Sequence, residues 1–116
     1  MKVVRLTRHD ASKEQVSELN RLFPGSQVVK VSETLPVNSR EAVTRFDEIA
    51  QDAEVVEAVL PVNLLEAVIK FSNFVKRGGK VIRAVTNRRL DDENGAVFEF
   101  DHYEQVVKVE VVTVRL

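Results

Sequence analysis

Four short apolar runs, rich in β-branched residues, recur along the chain. They are Val3-Val4-Arg5-Leu6, Val28-Val29-Lys30-Val31, Val55-Val56-Glu57-Ala58-Val59-Leu60 and Val81-Ile82-Arg83-Ala84-Val85. Each has the length and residue type of a buried strand. The intervening segments carry a helical period instead. Val16, Leu19 and Phe23 share one face, as do Val43, Phe46, Ile49 and Ala50, and then Leu65, Val68, Ile69, Ser72 and Val75. Start and stop signals agree with these periods. Ser12 with Gln15, Asn38 with Glu41 and Asn63 with Glu66 each have capping-box spacing, while Pro24-Gly25 and Gly78-Gly79 close the first and third helices. The alternation βαβαβαβ predicts a parallel sheet with right-handed crossovers.

Beyond Asn87 the pattern changes. Asn94-Gly95 is a hairpin-turn signal. Ala96–Phe100 and Val106–Leu116 are then expected to form an antiparallel pair. Valines at 107, 109 and 111, followed by 112 and 114, place a β-bulge near Val111-Val112. His102 would lie in the turn of that pair, in a structural or surface role. The third helix has a second apolar stripe, Ala67, Phe71 and Phe74. A helix apolar on two sides is buried on two sides. Either the C-terminal hairpin covers that stripe, or it is a homodimer interface through Phe71 and Phe74. At 116 residues the chain is expected to be one domain, with a parallel core over 1–90 and the hairpin over 95–116.

Every core strand carries one charge: Arg5, Lys30, Glu57 and Arg83. Strands buried on both faces are normally apolar, and an unpaired buried charge is costly. A sheet order of 2-1-3-4 resolves the conflict by setting Glu57 between Arg5 and Arg83. Handedness then leaves the first helix alone on one face, and that sparsely covered face is expected to hold the charges.

Composition narrows the function. The formal net charge of −1 argues against a general grip on duplex nucleic acid. No apolar run approaches the roughly 18 residues of a membrane helix. The opening residues read as a strand, and a cytoplasmic location is expected. Without cysteine there is no thiol nucleophile and no zinc knuckle, and two separated histidines do not make a metal site. No glycine follows the first strand, so dinucleotide and phosphate-loop motifs are absent. Neither metal nor cofactor is expected.

For order 2-1-3-4 the topological switch lies between strands one and three, where open α/β sheets bind ligands. The loops that end the strands there are Thr7-Arg8-His9-Asp10, Ser32-Glu33-Thr34, Pro61-Val62-Asn63 and Thr86-Asn87-Arg88-Arg89. Arginine forks and hydroxyls suit phosphate, and amides suit bases or ribose. Asn63 could instead be a helix cap. Arg88 and Arg89 could be neutralised by the following Asp91, Asp92 and Glu93.

Leu6-Thr7-Arg8-His9-Asp10 resembles the Arg-His-Gly motif of histidine phosphatases, with Asp10 in place of the glycine. A carboxylate there would repel phosphate. The stretch Leu6 to Gln15, with His9, Ser12, Glu14 and Gln15, is similar to the start of small CRISPR-associated proteins with a CARF-like, Rossmann-like domain. Val81 to Arg89 resembles their fourth strand and its basic exit. The resemblance implies a Rossmann-like α/β sheet with three helices, here followed by the C-terminal hairpin. It also implies a homodimer that binds, and in some relatives cleaves, a cyclic oligoadenylate, as a ring nuclease in antiviral signalling. On that reading Arg8 and Arg88 hold phosphate and His9 moves the proton. Asn63 and Thr86 contact ribose or base, and Thr7, Ser32, Asn87 and Arg89 complete the ligand set. A non-enzymatic dimerisation or ligand-binding module is the alternative.

Overall fold

In the computed structural model, which describes residues 1–93, 95–110 and 112–116, the apolar runs become one five-stranded sheet of order β2-β1-β3-β4-β5. In chain order the elements are β1 (Lys2–Leu6), α1 (Lys13–Leu22), β2 (Gln27–Val31), α2 (Ser39–Ile49), β3 (Val55–Ala58), α3 (Val62–Phe71), α4 (Asn73–Lys76), β4 (Lys80–Asp91) and β5 (Gly95–Gln105). The first four strands are parallel, and β5 joins antiparallel to β4. The predicted α/β class and the order 2-1-3-4 therefore hold.

Strand alternation sorts the core into two layers. Val4, Leu6, Val56, Ala58 and Val81 face α2, α3 and α4, around Phe46 and Phe74. Val3, Val55 and Ile82 face the other way and pack with Leu19 of α1, and Phe23 and Tyr103 lie against this second layer. One helix covers the second layer, as handedness requires.

The caps explain where the helices begin. Ser12 and Gln15 form the reciprocal capping box of α1, and the Asn38 side chain accepts from the Glu41 amide. Asn63 does not cap α3, whose N-cap is Pro61 with no side-chain bond. The expected single third helix is broken at Ser72, which adopts extended geometry between α3 and α4. Asp47 of α2 causes the break. Its carboxylate accepts from the Ser72 hydroxyl at 2.6 Å and from the Asn73 and Phe74 amides at 3.1 Å each. The break turns Phe74 into the core, edge-on to Phe46. Phe74 has no exposed surface, whereas Phe71 is 63% exposed. An interface through Phe71 and Phe74 together is thereby corrected. Nor does the hairpin cover the stripe, because β4 and β5 extend the sheet instead.

The hairpin also occupies a different stretch from the expected one. β5 is Gly95–Gln105, not Ala96–Phe100, and its partner is β4 rather than Val106–Leu116. Among the described residues the segment after Gln105 belongs to no strand, although the Val106 amide still donates to the Val81 carbonyl. Asn94 of the expected turn and Val111 of the expected bulge lie outside the described residues. Gly95 has φ 73°, a left-handed geometry that suits glycine. A register irregularity does occur, between Val85 and Thr86, where Asp101 is the extra residue opposite. It brings Phe100 and Tyr103 onto one face, with ring centroids 4.9 Å apart. His102 is thus a strand residue opposite Val85, not a turn residue.

Candidate functional site

Three parallel strands end at the same edge of the sheet, and a cleft of about 390 Å³ opens there. The loop after β1 supplies Thr7, Arg8 and His9. The loop after β2 supplies Glu33, Thr34, Leu35 and Val37, the β3–α3 connection supplies Leu60 and Pro61, and the first turn of α3 supplies Asn63. The cleft lies on the α2–α3 side of the sheet, at the switch between β1 and β3. Leu6, Leu35 and Leu64 are buried beneath it. Its character is an apolar floor under a rim of hydroxyl, guanidinium, imidazole and amide groups, the usual composition of a small-molecule site.

The rim loop is tied down almost residue by residue. The Thr7 amide donates to the Val31 carbonyl at 3.1 Å. The His9 amide donates to the Thr7 hydroxyl at 3.2 Å, and the His9 carbonyl accepts from Arg5 at 3.1 Å. Asp10 accepts from Lys30 at 2.6 Å, and Ser12 opens α1. Arg8 reaches across the cleft mouth to the Thr34 hydroxyl at 2.6 Å. The His9 imidazole alone is left over. Among the described residues it has no hydrogen-bond partner, and it is exposed at the cleft.

Carboxylates near the cleft are neutralised by their own partners. Glu33 takes a two-pronged bond from Arg45, with both contacts at 2.6 Å, which holds its carboxyl below the usual range. Lys30 does the same for Asp10. The phosphate repulsion expected from Asp10 is therefore offset, and Asp10 does not line the cleft. Arg8 contributes positive charge with no carboxylate partner among the described residues.

Of the residues singled out in the sequence, Thr7, Arg8, His9 and Asn63 meet in this cleft. Ser32 stands just behind it, with its hydroxyl donating to the Thr7 carbonyl at 3.4 Å. Thr86, Asn87, Arg88 and Arg89 do not converge. β4 runs on past the sheet edge, so these residues form an exposed two-stranded arm with β5. There Arg89 pairs with Glu99 at 2.7 Å, and Arg88 lies opposite Phe98. Comparison with family models, with curated proteins and with solved structures finds no match.

The charges inside the strands resolve in an unexpected way. Arg5 and Glu57 are direct neighbours in register and form a buried pair, with Nε to Oε1 at 3.0 Å and Nη2 to Oε2 at 3.4 Å. Glu57 is not flanked by Arg83, however. Ile82 holds that register position, so Arg83 falls on the opposite face and bonds Glu104 at 3.1 Å. The second partner of Glu57 is the Tyr103 hydroxyl at 2.7 Å. Burial, and then the adjacent Glu57 carboxylate, push the Tyr103 phenol upward, so it stays a donor. The sequence pattern missed Tyr103. The only available signal was an aromatic residue with a hydroxyl near the register of the strand charges.

Proposed function

We propose that the cleft binds the phosphodiester backbone of a cyclic oligoadenylate, and that the protein cuts the ring as a homodimer in CRISPR antiviral signalling. The carrying observation is the unpartnered His9 imidazole beside Arg8, over an apolar floor, at the β1/β3 switch. An adenine fits the Leu6, Leu35 and Leu64 floor. Arg8, Thr7 and Asn63 suit the phosphate and ribose at the rim.

The chemistry needs three things at once. A ribose 2′-hydroxyl must lie in line with its own phosphate, which tight positioning of the sugar supplies. Charge growing on the phosphate oxygens must be stabilised, a role that Arg8 can fill. As the 2′-oxygen bonds to phosphorus and the 5′-oxygen leaves, a proton must pass from the first oxygen toward the second. An imidazole, which can both accept and donate a proton through its ring nitrogens, suits that transfer. The products are a 2′,3′-cyclic phosphate and a 5′-hydroxyl. A cleft of about 390 Å³ is at the small end of ligand sites, about 300–1,000 Å³, so it would take one part of a ring of several nucleotides, and the second copy of the proposed homodimer would take another.

A thermal-shift titration with cyclic tri-, tetra- and hexaadenylate tests the reading. One ring size should raise the melting temperature, and Arg8→Ala should remove most of that shift. No shift with any ring would overturn it. Release of phosphate from a generic aryl phosphate would favour the phosphatase resemblance instead.

A further inference from the structure

His9 is held in place from the other side of the sheet. Arg5 and Glu57 are 4% and 3% exposed. Their neighbours in that layer are the apolar Val3, Val55, Leu19 and Ile82, together with Tyr103, whose hydroxyl is already donated to Glu57. Glu57 satisfies Arg5 through Nε and Nη2, leaving Nη1. A guanidinium so deeply buried must find a protein acceptor for that nitrogen. The acceptor is the carbonyl of His9, at 3.1 Å.

We propose that Arg5, braced by Glu57 and Tyr103, is a positioning residue that fixes the peptide of His9 from beneath and so sets where its imidazole stands in the cleft. The bond is unusually binding on the loop. Releasing the His9 carbonyl would strand a buried charge-assisted donor, so the loop and the ion pair move together or not at all. A chain of direct contacts results, running from the His9 carbonyl through Arg5 and Glu57 to the Tyr103 hydroxyl. Tyr103 packs against Phe100 at the base of the β4–β5 arm. The base of the arm is therefore wired to the cleft through Arg5 and Glu57, which line neither. A stabilising role alone does not explain the arrangement, because well-packed apolar side chains of similar volume often serve as well as a buried pair.

This inference rests on the assignment of His9 to the working cleft, but its test does not depend on the ligand. Arg5→Met combined with Glu57→Leu removes both charges together and leaves the α1-side layer filled. Hydrogen exchange of the Thr7 and His9 amides, which are hydrogen-bonded in this loop, should then speed up at least tenfold, while β1 and β3 amides keep their protection. The HN–Hα coupling of His9, which reports its backbone torsion, should move toward the averaged value. Unchanged loop exchange and coupling in a folded double variant would overturn the proposal. Should that variant not fold, Tyr103→Phe carries the test, with a two- to fivefold rise in loop exchange expected and wild-type exchange overturning the idea. Binding of cyclic tri-, tetra- and hexaadenylate to the unmodified protein is read separately, with a null result meaning none of the three binds. A null result there, with loop exchange behaving as expected, would sink the ligand reading and leave the positioning role supported.

Discussion

Arg5 and Glu57 show how much a single residue's meaning depends on register. Their pairing follows from the sequence, since two parallel strands with a mid-strand charge align those charges once the order 2-1-3-4 is set. Arg83 follows the same logic and fails. A shift of one residue sends a side chain to the opposite face, and β4 is offset by one relative to β3. Tyr103 was beyond reach for a similar reason. Its place beside Glu57 depends on the extra residue Asp101, which no local pattern announces. Two predictions belong at this scale. Glu57→Ala leaves the Arg5 charge buried without its partner, and should cost about 3–5 kcal/mol in urea unfolding. The Arg5→Met, Glu57→Leu pair should cost far less, and an equal loss would contradict this account of the pair. His102 gives a pH prediction. Asp101 first, at 2.5 Å, and then Glu104 raise its pKa above 6.5. A raised folded-state pKa contributes stability that is fully present below pH 6.5 and is lost as pH climbs through the raised value. An NMR titration should show this midpoint above the ordinary one, and Asp101→Asn should lower it; no response to Asp101→Asn would contradict the assignment.

At the scale of elements, the third helix and the hairpin carry the main differences between pattern and structure. Ser72 fits the helical period of its neighbours, so the pattern runs through it. The break is imposed from outside, by Asp47 of α2, whose carboxylate competes for the Ser72 hydroxyl and the next two amides. Tertiary contacts of this kind override local propensity. Asp47→Ala should therefore cost about 1–3 kcal/mol, through loss of the α4 cap and the unsatisfied groups left behind. The expected signature is a lower denaturant midpoint with the slope unchanged. In the hairpin, the valines after Val106 alternate as a strand would, yet β4 pairs with the preceding segment. Periodicity identified strand-forming residues without naming their partner. The capping box at Ser12 and the cap at Asn38 were legible because both ends of each motif lie within four residues. Asn63 had the same spacing, but Pro61 starts that helix earlier and leaves the Asn63 side chain to the cleft.

For the whole molecule, topology was the most legible property. Strand–helix alternation and right-handed crossovers leave few arrangements, and the observed order is among them. The location of the cleft followed from that order. Its membership followed only in part, because the length of β4 carries Thr86 to Arg89 out along an arm. The radius of gyration, 15.5 Å, exceeds the roughly 13 Å of a compact chain of 100 residues, as expected with a projecting arm. Phe98, 68% exposed there, adds little to the isolated fold. Phe98→Ser should change stability by no more than about 0.5 kcal/mol, and a larger loss would show that the arm packs in solution. No described helix is long and apolar enough to cross a membrane. The central claim, that His9 works in a phosphodiester-binding cleft, is tested most directly by incubating the protein with cyclic tri-, tetra- and hexaadenylate and resolving the products by chromatography. The account predicts that one ring opens to linear product with a 2′,3′-cyclic phosphate end, and that His9→Ala still binds that ring but cuts it at least a hundredfold more slowly. Intact rings throughout, or full cleavage by His9→Ala, would contradict it.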